Sequence, residues 1–431
     1  MMRTIDLRGL SAREAASAVP RAEAARQNAF NTAGDLVADV RDRGEAALRE
    51  QAERFDGVSA HDIRVAPEAI AAALETLDPA VRAALERAIE RVREASAAQV
   101  PPRVETIIAP GARITQRWAP VRRVGVYVPG GKAVYPSSVV MNVVPAQVAG
   151  VGAIALASPP QRDGRIHPTI LAAAALLGVD EVYAMGGAGA IGALAYGVET
   201  LDLAPVDVVT GPGNNFVAAA KRHVAGIVGT DAEAGATEIL VIADDHANAD
   251  FVAADLVSQA EHDEQAGAVL VTWSEEFALL VARHVAERAA TTRHADRVAA
   301  ALAGPQSAIV LVDDLERAAE FSNVYAPEHL EVQVAETERA LELLHNAGAI
   351  FVGAHAPVSL GDYLAGSNHV LPTGGQARYA AGLGAHTFVR PQQIVTYDEA
   401  ALADVAADIV ALAEAENLPA HGEAVTARFP A

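Results

Sequence analysis

The chain has 431 residues, 51% of them apolar and 20% charged, with 33 Lys and Arg against 55 Asp and Glu for a net charge of -22. At about 150 residues per domain this length suggests two or three domains with real cores, the composition excludes a disordered chain, and an acidic balance with no basic stripe makes nucleic acid and anionic membranes poor partners. Cysteine is absent, which removes disulfides, Cys-ligated metal and a thiol nucleophile, so any aldehyde oxidation here must run without a thiohemiacetal.

Met1 to Arg13 carries Arg3, Asp6, Arg8 and Arg13 and lacks the continuous apolar core of a signal peptide. The longest strongly apolar region, 139–157, is interrupted by Asn142, Pro145, Gln147 and Gly150 and falls short of a membrane span. A soluble, cytoplasmic protein is expected. From Ala12 to about Val100 the text is helical, with apolar residues at three- and four-residue spacing over 34–54 and 66–98 and a turn at Asp56-Gly57. The pattern turns extended over 107–118, broken at Pro110-Gly111. Strands at 124–128, 153–157, 181–185 and 206–209 then alternate with helices at 138–148, 169–177 and 190–196, the pattern of βαβ units around a parallel sheet. A second series has strands at 239–243, 268–272, 308–312 and 350–352 and helices at 251–261, 276–303 and 315–322. The end of the chain reads as a helix over 397–416, a stop at Leu418-Pro419 and a short polar tail from His421. Two α/β domains are the economical reading.

Gly187-Ala188-Gly189-Ala190-Ile191-Gly192 follows a strand and opens a helix, the local context of a dinucleotide loop, in which glycines let a pyrophosphate approach the backbone at a helix N-terminus. A tight strand-to-helix turn in an Ala/Gly-rich chain explains it equally well. Two further glycine turns, from Tyr127 to Gly131 and at Gly211-Pro212-Gly213-Asn214, also follow strands. Together the three would form a nucleotide crevice at the carboxyl edge of one sheet, with Tyr127 and Asn214 as stacking and hydrogen-bonding groups. In the helix ending Ser258-Gln259-Ala260-Glu261-His262-Asp263, Gln259 continues the stripe of Val252 and Leu256, and His262 follows at i+3. That spacing suits a bidentate metal anchor, and it suits a helix end capped by polar groups. In Ala326-Pro327-Glu328-His329-Leu330, Pro327 starts a short turn, and the adjacent acid and imidazole point to different sides, as two proton-transfer roles would require; a solvated Glu beside a packed His is the bland reading. Asp362, His369, Glu416 and His421 are the remaining polar residues in apolar or glycine-rich settings. HExxH is absent.

Taken together, from about Arg13 to Arg428, these segments resemble the histidinol dehydrogenase family, which carries out the last two oxidations of histidine biosynthesis. The resemblance rests on the 124–131 turn followed by Tyr135-Pro136-Ser137-Ser138, on Gly211 to Asn214, Ser258 to His262, Ala326 to Leu330, and Gly366-Ser367-Asn368-His369. It implies Zn2+ held by Gln259, His262, Asp362 and His421, acid–base catalysis by Glu328 and His329, substrate held by Thr237, His369 and Glu416 together with the metal ligands and His329, and NAD contacts at Tyr127, Gly189 and Asn214. Two positions depart from the family pattern: Gly189 stands where Gln is usual, and Thr237 where Ser is common. The resemblance also implies a homodimer whose C-terminal segment crosses to the partner's site. The fold expected is two Rossmann-like parallel-sheet domains with a helical N-terminal region and a C-terminal helical extension. Its parts are a helical arm over 1–30, a discontinuous first domain over 31–123 and 239–380 with the metal and catalytic residues, a second over 124–238 with the NAD contacts, and a dimer-crossing tail over 381–431. A paralogous zinc/NAD dehydrogenase of another small polar alcohol, or a catalytically silent zinc-binding protein on the same fold, are the rival readings.

Overall fold

Runs of Val, Ile, Leu and Ala that are apolar at consecutive positions suit strands covered on both faces, where burying each such side chain is worth about 1.5–3 kcal/mol. The computed structural model of the chain describes residues 2–11, 14, 18–21, 24–130, 133–232 and 235–429; Met1, Ala12 and Arg13 of the N-terminal readings and Gly131 of the first glycine turn lie outside them. The chain divides into two compact units, residues 1–99 with 121–388 and residues 100–120 with 389–431.

In the larger unit the strands are β1 (Arg3–Asp6), β2 (Arg123–Tyr127), β3 (Ala153–Ser158), β4 (Val182–Ala184), β5 (Val208–Thr210), β6 (Gly229–Thr230), β7 (Glu238–Ala243), β8 (Gly267–Thr272), β9 (Ala308–Leu311), β10 (His329–Gln333) and β11 (Ala349–Val352). They form two all-parallel sheets, one in the order β4-β3-β2-β5-β6 and one in the order β1-β9-β8-β7-β10-β11. Both βαβ series read from the sequence are thus present. β7 and β8 are buried at every residue, and the helices Ala249–Ala260, Glu275–Thr291 and Ala295–Ala303 cover one face of the six-stranded sheet through Val252, Leu256, Val281 and Val298.

The differences from the sequence reading have local causes. The 1–30 arm is not wholly helical, because Arg3–Asp6 pairs with β9 as an edge strand. The helix expected over 276–303 breaks where Thr292 is extended, and the one over 66–98 breaks before Asp78, whose carboxylate caps Pro79–Ala97 through the N–H groups of Ala80 and Val81. From its sequence pattern β10 reads only as a turn. Its sequence HLEVQ is polar at alternate positions, yet all five residues are buried.

In the smaller unit the hairpin Val104–Ala109 and Ala112–Pro120 turns at Pro110-Gly111, and Val389–Tyr397 pairs antiparallel along the whole of Ala112–Pro120. That strand precedes the helix Glu399–Ala415, which Asp398 caps. Pro419 does not stop the chain; it opens the helix Pro419–Thr426 at the first position, where its missing N–H costs nothing. This unit leaves large apolar side chains exposed, with Ile107 at 74%, Val395 at 64% and Leu412 at 65%. No helix among the described residues is long and apolar enough to cross a membrane.

Candidate active site

Helices that follow parallel strands run back to the amino edge of their sheet, so helix ends and strand starts gather there. Thr237 precedes β7, Glu328 precedes the neighbouring β10 with His329 opposite Ile239, and Gln259 lies in the last turn of Ala249–Ala260. Their side chains form one chain of hydrogen bonds. Gln259 Nε2 donates to Thr237 Oγ1 at 2.7 Å, Thr237 Oγ1 donates to Glu328 Oε2 at 2.6 Å, and the Glu238 backbone N–H donates to the same carboxylate oxygen at 3.0 Å. Glu328 Oε2 and His329 Nδ1 stand 3.6 Å apart, too far for a hydrogen bond, and each takes its own partner. The two groups are therefore held separately and do not form a hydrogen-bonded dyad.

Three imidazoles here share one arrangement. His329 Nδ1 faces the Glu238 carbonyl at 3.1 Å, His369 Nδ1 faces the Asp362 carbonyl at 2.9 Å, and His262 Nδ1 faces the Gln259 carbonyl at 3.3 Å. A carbonyl only accepts, so each Nδ1 carries the proton and each Nε2 presents its lone pair. For His369 that lone pair accepts from Ser138 Oγ at 3.2 Å. Burial holds His329 and His369 below the usual imidazole range, which keeps them neutral and able to take a proton. The charge of Asp362 opposes burial at both, and His329 and His262 in turn push His369 down, which places these four side chains in one electrostatic cluster. Burial pushes Glu328 up to about 8, against the lowering effect of its bonds from Thr237 and Glu238.

The donor set suits a metal. Gln259 Oε1 is buried and has no hydrogen-bond partner, because the amide nitrogen is committed to Thr237 and the oxygen is turned away from it. An orphaned amide oxygen is costly unless something binds it. The end of the same helix carries His262, whose Nε2 keeps its lone pair, and Asp362 lies in the helix Val358–Tyr363. Asp244, Asp245 and His246 also lie close together, but both Asp244 oxygens already accept backbone N–H groups, from His246 and Ala335.

The glycine turns occupy the carboxyl edge of the five-stranded sheet. Tyr127 is buried, its hydroxyl accepts the Gly187 N–H at 3.2 Å, and burial pushes its pKa up to about 12. Asn214 is exposed and caps the helix Asn215–Val224 with Oδ1, which accepts from Phe216 and Val217 and leaves Nδ2 for other use. Gly189 is buried in the helix Gly187–Tyr196, and a side chain there would run into the Gln51 carboxamide 2.3 Å from its Cβ. The two sheet edges are joined by the Ser138–His369 bond and by Asn368 Nδ2 donating to the Met141 carbonyl at 2.6 Å. Glu416, at the end of Glu399–Ala415, and His421, in the first turn of Pro419–Thr426, belong to the smaller unit and are exposed.

Sequence reasoning did not assign roles to Ser138, Glu238 or Gln51. Glu238 had a signal, as the one carboxylate in the otherwise apolar run EILVIA; its own side chain is held by Arg21 at 2.8 Å while its backbone serves both Glu328 and His329.

The sequence model of the histidinol dehydrogenase family matches residues 19–429. Histidinol dehydrogenase of Leifsonia xyli subsp. xyli is 66% identical over 99% of each chain, and that of Thermobifida fusca is 57% identical over 99% of this chain and 97% of its own. The crystal structure of histidinol dehydrogenase from Elizabethkingia anophelis, 33% identical, superposes with a TM-score of 0.93 over 99% of this chain and 98% of the other.

Proposed function

The chain belongs to the histidinol dehydrogenase family, and from that premise we propose how its residues divide the work of oxidising L-histidinol to L-histidine by way of L-histidinal. The protein is an NAD-dependent oxidoreductase that acts on histidinol. NAD, when bound, takes one hydride in each of the two oxidations. His329 Nε2 receives the hydroxyl proton in each, from the alcohol in the first and from the hydrated aldehyde in the second, and a neutral imidazole whose Nδ1–H is fixed on the Glu238 carbonyl suits that task. Glu328, as carboxylate, takes a proton from the water that adds to the aldehyde, which is the route open to a chain without cysteine. Thr237, His369 and Glu416 hold the substrate, and Tyr127, Gly189 and Asn214 line the NAD side. The observation that carries this reading is the hydrogen-bonded chain Gln259–Thr237–Glu328, with His329 beside it on separate partners. Its test is the yield of NADH per histidinol consumed: two is expected, one would leave the aldehyde step without an enzyme, and none would refute the reading.

Zinc is assigned to Gln259, His262, Asp362 and His421. Support comes from the unpartnered Gln259 Oε1 and from the outward Nε2 of His262. Bound there, zinc would supply a Lewis-acid anchor for the amine and imidazole of the substrate.

The active protein is read as a cytoplasmic homodimer in which Glu416 and His421 serve the site of the opposite subunit. The exposed apolar side chains of the smaller unit support a partner surface there. An inactive His421→Ala chain refolded with an inactive His262→Ala chain should recover roughly a quarter of wild-type activity, because half the random dimers carry one intact site in two. Verified heterodimers without activity would contradict the crossover.

A further inference from the structure

A charged pair lies entirely inside the larger unit, away from the groups assigned to the chemistry. Lys221, on the helix Asn215–Val224, and Asp231, just past β6, have side chains only 2% exposed, with Lys221 Nζ 2.5 Å from Asp231 Oδ1. Buried charges are expensive even when paired, and replacing such a pair by apolar residues is often neutral or stabilising, so stability alone does not explain it. What the pair grips is one peptide. Lys221 Nζ also donates to the Gly211 carbonyl, and Asp231 Oδ2 accepts the Gly211 N–H at 2.8 Å, so both backbone groups of Gly211 are held by side chains.

Gly211 needs holding. Its φ is +119°, and a Cβ there would sit 1.9 Å from the Tyr127 carbonyl oxygen, so the backbone passes directly against the end of β2. From Gly211 the chain runs through Pro212 and Gly213 to Asn214, whose Oδ1 is spent on the helix cap. One end of the turn is thus fixed by the cap and the other by the ion pair, leaving Asn214 Nδ2 at a set place on the carboxyl edge. Long helical side chains lean toward the N-terminus of their helix, which is how Lys221 reaches back to the turn that starts it.

We propose that Lys221 and Asp231 are positioning residues for cofactor binding: they clamp Gly211 so that the Gly211–Asn214 turn is preformed for the dinucleotide. This rests on the assignment of Asn214 to the NAD side. The ammonium group is consumed by the clamp and does not itself meet the ligand. Loss of the clamp lets the turn sample other conformations, and NAD must then reorder it on binding.

The test is steady-state kinetics of the zinc-loaded enzyme with NAD and histidinol varied separately, on Lys221→Met, on the double variant Lys221→Met/Asp231→Leu and on Asn214→Ala. The double variant removes both charges, so it keeps the fold where the single one leaves Asp231 unpaired. In it KM for NAD should rise about ten-fold, the value of one or two hydrogen bonds, while KM for histidinol moves less than about two-fold. Loss of folded protein alone would lower kcat and leave both KM values in place, and that result from a folded double variant overturns the proposal. Asn214→Ala separates the two claims. If it leaves KM for NAD unchanged, the assignment of the turn to NAD fails; if it raises KM and the double variant does not, the clamp fails.

Discussion

The carboxyl edge of the five-stranded sheet and the amino edge of the six-stranded sheet meet at one place but are built from different materials. The first is backbone: glycine turns after β2, β4 and β5, pressed so closely that Gly211 admits no Cβ and the Gly187 N–H rests on the Tyr127 hydroxyl. The second is side chain: a carboxylate, an amide, a hydroxyl and imidazoles held by hydrogen bonds of 2.6–3.3 Å in a buried setting. A backbone edge fails when atoms are added, whereas a polar edge fails when a donor or acceptor is removed. Ligands of α/β sheets usually sit outside the carboxyl ends of strands; the NAD side proposed here follows that rule, and the proposed chemistry is assigned to the opposite kind of edge.

Substitutions can break or sharpen this contrast. The largest effect is expected for His329→Asn, which removes the Nε2 base and should slow both oxidations by about 10²–10⁴-fold with the protein still folded; a loss confined to one step would show that the imidazole is not the shared base. Next, Gln259→Leu should lower zinc content and activity by at least about 10-fold, with partial rescue by added zinc, as metal analysis of the purified variant would report. Retention of stoichiometric zinc would remove Gln259 from the ligand set. On the other edge, Gly211→Ala should lower the melting temperature by roughly 5 °C, since its Cβ and the +119° φ both conflict with the native turn.

The smallest effect tests burial at the polar edge away from the site. Glu331, on β10, is pushed up to about 9, first by burial and then by the charge of Asp255. The unfolded chain loses this proton in the ordinary carboxylate range while the native protein keeps it, so stability is shed as pH rises from there through about 9. Glu331→Gln should therefore raise the melting temperature relative to wild type at pH 9 by on the order of 2 °C, and by less at pH 5. An equal gain at both values would mean that packing, not ionisation, is responsible.

The same contrast explains what the sequence disclosed. Glycine turns and all-apolar strands are local patterns, so the turns and both βαβ series could be read directly. β10 could not, because His329, Glu331 and Gln333 share one strand face and are buried there, where the usual alternation would put solvent. Thr237, Ser138 and Glu238 act through strand adjacency and across sheet edges, which no spacing along the chain encodes. Near the C-terminus the local pattern does not show Val389–Tyr397, because its pairing strand lies in 112–120, far away in sequence, and it does not show Pro419–Thr426, because proline reads as a stop where it serves as a helix start.

The claim at the centre of the account is that Glu328 serves the second oxidation alone, and Glu328→Gln tests it most directly. In the proposed mechanism its carboxylate activates water, so wild-type oxidation of histidinal should rise with pH toward about 8, where the group ionises, and this rise should vanish in the variant. Supplied with histidinol and excess NAD, the variant should form one NADH per histidinol and accumulate the aldehyde, against two for wild type. A variant that still yields two, with both oxidations slowed equally, would contradict the division of labour.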